Sequence, residues 1–214
     1  MTARDRILSA IRATLGPGKP ANEIAIEAAL LLEPVDTARP ALVAPALPDA
    51  FAQKAAAIGT TINRVSGMAG VPQAVARYLK AHGLPPRLAM QPTPELSALD
   101  WAGITPSPQI APDEPAALGL ALWGIAESGS LVIHSGPGNP ILLSFLPLHH
   151  IVVLREATLL PYLEDYAARL SPQQVPRNAI LITGPSGTTD IEGSYVRGAH
   201  GPGFLHVILV SGAG

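Results

Sequence analysis

The stretch that most constrains this chain is ILITGPSGTTDIEGSYVRGAHGPGFLHVILV, residues 180–210. Ile180–Thr183 and Leu205–Val210 are short apolar runs, rich in β-branched residues and bounded by Gly and Pro, and they read as buried strands. Between them lie two Gly-Pro turns and the polar residues Ser186, Thr188, Thr189, Asp190, Glu192 and His200. A merely structural connection rarely needs so many polar groups beside a buried strand, and strand ends are where open α/β sheets put their chemistry. A second segment, WGIAESGSLVIHSGPGNPILLSFLP (Trp123–Pro147), sets Glu127 in an otherwise apolar run, followed by Ser128, Gly129 and Ser130. A carboxylate there must find hydrogen-bond partners or be costly to bury.

Elsewhere helical and strand patterns alternate. Ile7, Leu8, Ile11 and Leu15 share one face of a helix over Ala3–Leu15, ended by Gly16-Pro17-Gly18, and Ala21–Leu32 suggests a second helix. Pro34–Pro48 reads as a Pro/Ala-rich linker. The body follows with helices over Asp49–Ile58, Val71–His82 and Leu159–Leu170. Its strands fall over Thr60–Val65, Arg87–Met90, Leu118–Ala126, Leu131–His134 and Ile151–Leu154, with the final two strands closing the sheet. Gln91–Pro115 has many prolines and no clear period. This order argues for an α/β fold with a largely parallel sheet, in which residues 1–48 are a helical arm and linker and residues 49–214 the α/β domain.

Composition excludes several functions. The chain has no cysteine, so thiol catalysis, disulfides, Cys-ligated zinc and an iron–sulfur cluster on its own thiolates are ruled out. Net charge is −2, without a long basic tract, which argues against a nucleic-acid partner. The N-terminus lacks the apolar core of a signal peptide, and no run approaches the roughly 20 apolar residues of a membrane span. A cytoplasmic location is expected.

The loop Thr183–Asp190 can hold a phosphate or carboxylate through backbone N–H groups around Gly184, Pro185 and Ser186 and the hydroxyls of Thr188 and Thr189. No Lys follows the glycines, so it is not a Walker A loop, and it reads equally as a turn in which Ser186 or Thr188 caps a helix. Asp190 and Glu192 would share a face in an extended segment; Asp190 is the better site acid, and Glu192 taken alone reads as solvated. His200, followed by Gly201 in a tight GAHGP loop, is either a general acid/base or a loop histidine bonded to backbone. The adjacent His149 and His150 lack the spacing of a helix-borne metal pair and read as structural, as do His134 and His206. Arg197 could bind a carboxylate, though an exposed arginine is usually solvated.

The segments GIAESGSLVI, SGPG, SFLPLHHIVVL, ITGPSGTTDIE and GAHGP occur in an order and spacing that resemble the LUD-domain family, and within it the lactate-utilisation protein C group. The resemblance is close over Ala117–Val210 and extends to Asp5–Arg12; Gly16–Pro115 matches only in layout. It implies an open, Rossmann-like sheet akin to the sugar-phosphate isomerase and CoA transferase folds. It also implies an accessory or substrate-handling role in bacterial L-lactate oxidation to pyruvate, beside two iron–sulfur partner proteins. Glu127, Asp190 and His200 become the candidate catalytic residues. Ser128, Gly129, Ser130, Gly184, Pro185, Ser186, Thr188, Thr189, Glu192 and Gly201 become the candidate contacts to a small carboxylate, a phosphate or an anionic cofactor.

In wider relatives of the fold a strand-end glutamate attacks a CoA thioester, so an independent enzyme using Glu127 is the first alternative. A non-catalytic interaction or regulatory module is the second. The chain departs from the family where relatives often carry an Arg after the SGPG turn; Asn139, Pro140 and Ile141 stand there instead. A parallel sheet with an exposed arm is compatible with a homodimer.

Overall fold

The structure, a computed structural model, describes residues 2–15, 18–31, 39–170, 176–189 and 193–212. Gly16 and Pro17, Leu32, the first five residues of the linker, Asp190 and Glu192 lie outside the described residues. The chain divides into two compact units, Met1–Pro40 and Ala41–Gly214. The first contains α1 (Ala3–Leu15) and α2 (Ala21–Leu31). Thr2 and Asp5 cap α1 reciprocally: Thr2 Oγ1 accepts from the Asp5 N–H at 3.2 Å and the Asp5 carboxylate accepts from the Thr2 N–H at 2.8 Å. Neither helix buries a residue.

The second unit contains α3 (Leu47–Ala57), β1 (Thr61–Val65), α4 (Val71–Ala81), β2 (Arg87–Met90), α5 (Pro94–Ser97), β3 (Thr105–Ser107), β4 (Ala116–Leu120), β5 (Trp123–Ile125) and β6 (Ser130–His134). It continues with β7 (His149–Arg155), β8 (Leu159–Leu160), α6 (Leu163–Arg169), β9 (Ala179–Ile182), β10 (Gly187–Thr189), β11 (Tyr195–Arg197) and β12 (Phe204–Val210). The principal sheet is six-stranded and parallel, in the order β1-β12-β7-β4-β2-β3. A four-stranded sheet, β8-β5-β6-β9, and the hairpin β10-β11 complete the architecture.

Strand alternation explains the layering. On β7 and β12, Ile151, Val153, Ile208 and Val210 join the Val71, Val75, Tyr78 and Leu79 stripe of α4. Their neighbours Val152, Leu154, Val207 and Leu209 join Phe51 and Ala55 of α3 and Leu131 and Ile133 of β6. Both faces are covered, so these strands are apolar throughout, the pattern of a buried parallel sheet. The α4 stripe recurs at helical spacing, and Pro72 sits in its first turn, where a missing N–H is harmless.

Several sequence expectations need correction. Ile180–Thr183 does not join the parallel sheet. The strand there is β9, which pairs antiparallel with β6 and alternates between exposed and half-buried residues. The segment after Thr183 opens no helix; Gly187–Thr189 pairs with Tyr195–Arg197 as a hairpin. The helix read over Leu159–Leu170 begins only at Leu163, because Leu159 and Leu160 pair as β8 with β5 and Pro161 follows. The run Leu118–Ala126 splits at Ala121 and Leu122, where the chain leaves one sheet for the other. Gln91–Pro115 contains α5 and β3. Among the described residues no helix is long and apolar enough to cross a membrane.

Three histidines stand at the amino ends of β7 and β12. His149 Nδ1 pairs with Tyr78 Oη at 2.9 Å and His206 Nδ1 with Thr61 Oγ1 at 2.7 Å, while the Nδ1 of His150 and the Nε2 of His206 are buried without partners. Burial pushes His150 down to about 4, and burial reinforced by His82 pushes His206 down to about 4. A histidine in an unfolded chain titrates near about 6.5, so the unfolded state takes up protons first as pH falls. The stability that depends on these neutral rings is complete above about pH 6.5 and drains away as pH falls toward about 4, by roughly 3 kcal/mol per ring. The urea midpoint should therefore drop steeply between pH 6.5 and 4.5, and less steeply in His206→Gln; a flat profile contradicts the assignment.

Candidate functional site

Four of the expected ligand residues and one of the expected catalytic residues converge. Gly184, Pro185 and Ser186 from the loop after β9, and His200 and Gly201 from the loop before β12, line a cleft of about 350 Å³ together with Thr183, His150, Ser144 and Phe145. Backbone bonds clamp the two loops: the Ser186 N–H donates to Pro202 O at 2.7 Å and the Gly198 N–H to Ser186 O at 3.0 Å. Gly184 adopts φ +84°, and a Cβ there would stand 2.9 Å from Ile58 O, so only glycine fits where the loop crosses the end of α3. His200 is exposed and, among the described residues, makes no hydrogen bond. The cleft thus presents two imidazoles, three hydroxyls and backbone amides, a set suited to a small carboxylate.

His150 is the residue that sequence reasoning left out. It follows His149 on β7, so the two rings face opposite sides of the sheet. His149 turns toward Tyr78 and Phe204, stacking on Phe204 with centroids 4.4 Å apart, whereas His150 borders the cleft. The only sequence signal was the unusual pair at the start of an apolar strand.

The ESGS turn has a different task. Ser128 Oγ, Ser130 Oγ and Thr183 Oγ1 form a chain of hydroxyls with two 2.7 Å contacts, which ties the turn to the loop lining the cleft. Gly129 sits at φ +70°, with its position for a Cβ only 2.4 Å from Ala55 N, so the turn lies directly on α3. Glu127 is half-buried and borders neither this cleft nor the one at the opposite sheet edge. Its Oε1 accepts the Leu163 N–H at 2.8 Å at the first turn of α6, where a carboxylate satisfies an orphan donor. Thr188 and Thr189 lie on β10, outside the cleft lining, and Arg197 lies over the Phe204 ring at 5.0 Å. Among the described residues no group of three or more His, Asp or Glu is arranged to hold a metal.

Fold and cleft together define an open-sheet α/β protein with a small polar cleft. Residues 111–210 match the LUD domain. The Escherichia coli K12 protein YkgG, itself uncharacterised, is 34% identical over 115 residues, covering 50% of each chain. Lactate utilization protein C of Geobacillus sp. WCH70 is 37% identical over 92 residues, covering 41% of this chain and 38% of that one. Alignment thus spans about half or less of these relatives' length. A DUF162 family protein of Deinococcus radiodurans has a similar fold, with a TM-score of 0.54 at 20% identity, covering 77% of this chain and 96% of that one. Over this stretch the chain is similar to the LUD domain and to the lactate utilisation protein C group.

Two substitutions separate packing from chemistry. Gly129→Ala should destabilise by about 2–3 kcal/mol in chemical denaturation, because α3 must move or the turn must strain. Glu127→Ala should cost about 1 kcal/mol, the value of a lost helix cap, and leave ligand affinity in the cleft unchanged. A loss of ligand binding in Glu127→Ala without a loss of stability contradicts the capping role.

Proposed function

We propose that this chain is an accessory or substrate-handling subunit of a bacterial L-lactate utilisation system, and that it binds a small carboxylate in the His200 cleft. The observation that carries this reading is the convergence of the GPSG and GAHGP loops on one clamped cleft within the residues that match the LUD domain. In this reading the ligand carboxylate accepts from Ser186 Oγ and backbone amides, and His200 faces the ligand's hydroxyl or carbonyl. Asp190, just beyond β10, is the further candidate in the same loop, with Glu192 beside it. A chain without cysteine or a dinucleotide fingerprint has no evident electron carrier of its own, which favours oxidation on two iron–sulfur partner proteins. The name lactate utilization protein C, borne by several similar proteins, supports the same assignment.

The test is thermal melting against L-lactate and pyruvate, in the wild-type chain and in His200→Ala and Ser186→Ala. A ligand at about 100 times its dissociation constant adds roughly 2.7 kcal/mol, and the resulting rise in melting temperature should vanish in His200→Ala. No shift with either acid, and no association on co-expression with the iron–sulfur proteins of such a system, overturns the proposal.

A further inference from the structure

A second cleft, of about 770 Å³, opens at the opposite edge of the parallel sheet, beyond the carboxyl ends of β2, β4 and β7. Its origin is the change of sheet at Ala121 and Leu122. The Ala121 N–H still donates to Val153 O of β7 at 2.9 Å, while the Leu122 N–H donates to Val132 O of β6 at 2.9 Å. The two sheets diverge there, and diverging carboxyl ends are where open α/β sheets accommodate ligands. The volume lies in the range of small-molecule sites.

The lining has a definite chemistry. Arg155, the last residue of β7, contacts Glu95 Oε2 through one terminal nitrogen at 2.9 Å; among the described residues its other guanidinium nitrogens have no partner. Gln91 is buried, and its side-chain oxygen accepts the Leu120 N–H at 2.8 Å. That bond fixes the orientation of the amide, whose nitrogen has no partner among the described residues and is free to donate. His134 borders the cleft with its Nε2 held by Tyr166 Oη at 2.8 Å. Leu120 and Leu122 supply an apolar wall.

One cation opposed by one carboxylate is too little positive charge for a di- or triphosphate, yet it suits a single carboxylate, which a guanidinium binds in its own plane. We propose that this carboxyl-edge cleft is a second ligand site, separate from the His200 cleft, that takes a monocarboxylate with an apolar tail. The carboxylate docks on the free edge of Arg155, the Gln91 amide donates to an adjacent oxygen, and the tail lies on Leu120 and Leu122. Glu95 is about half exposed, so its pairing with Arg155 is weak, and its charge competes with an incoming carboxylate for the same guanidinium.

The test is calorimetric titration with 4-methyl-2-oxopentanoate, an oxo acid with a branched apolar tail. The wild-type chain should bind it saturably at millimolar concentration. Arg155→Gln should weaken binding by about tenfold or more, the effect of removing a charged hydrogen-bond partner. Glu95→Gln, which removes the competitor while keeping the shape, should tighten it severalfold. His200→Ala should leave it unchanged, which separates this site from the lactate reading, because that reading fails or stands on the response of His200→Ala to lactate. The proposal is overturned by the absence of saturable binding, by Glu95→Gln binding no more tightly than wild type, or by binding abolished in His200→Ala and preserved in Arg155→Gln.

Discussion

The pairing of β7 with β12 along seven residues, His149 with Phe204 through Arg155 with Val210, is the constraint on which the rest of the molecule depends. These two strands lie at the centre of the sheet and are apolar on both faces, so neither can exist without cover on each side. The α4 stripe covers one face; α3 and the four-stranded sheet cover the other. The same register decides where the functional loops stand. Because His149 and His150 open β7 beside Phe204 and Leu205 at the start of β12, the loop ahead of β12 delivers His200 and Gly201 to the rim where His150 lies.

The amino edge of this sheet is polar in an unusual way. His149, His150 and His206 are all buried, and two of their ring nitrogens have no partner. Stacking offsets part of the cost on the α4 side, where Tyr78 lies 4.4 Å from His206 and Phe204 lies 4.4 Å from His149 between centroids. Among the described residues no such ring stacks on His150. It accepts complete burial next to a clamped cleft, which is the kind of local sacrifice that binding sites make and ordinary cores avoid.

The two clefts arise from different physical causes. The His200 cleft is made by loops, held together by cross-loop backbone bonds and by Gly184 at a position where only glycine fits. The carboxyl-edge cleft is made by the sheets, because one strand begins in the parallel sheet and continues in the antiparallel one. The first has no Lys, Arg, Asp or Glu among its described lining; the second presents a guanidinium already engaged by a neighbouring carboxylate.

Local pattern alone determined the strands and helices whose physics is local. Arg87–Met90 follows from a short apolar run, the α4 stripe from helical spacing, and the GPSG and GAHGP loops from Gly and Pro punctuation. Sequence also put Gly184, Pro185, Ser186, His200 and Gly201 together as one polar group, because their residue types are out of place beside apolar strands. What it could not decide was pairing. An apolar run such as Ile180–Thr183 looks the same whether it enters a parallel core or lies at the edge of an antiparallel sheet, and only the partner β6 fixes its sheet and exposure. Glu127 looked like a stranded buried acid because the N–H it caps, that of Leu163, lies 36 residues away. Arg155 and Glu95 carried no signal at all, since two charges far apart in the chain acquire meaning only when β7 and α5 bring them to one cleft. Local conformational preference is written in neighbouring residues; the company a side chain keeps is set by contacts between distant ones, and those the tertiary structure alone decided.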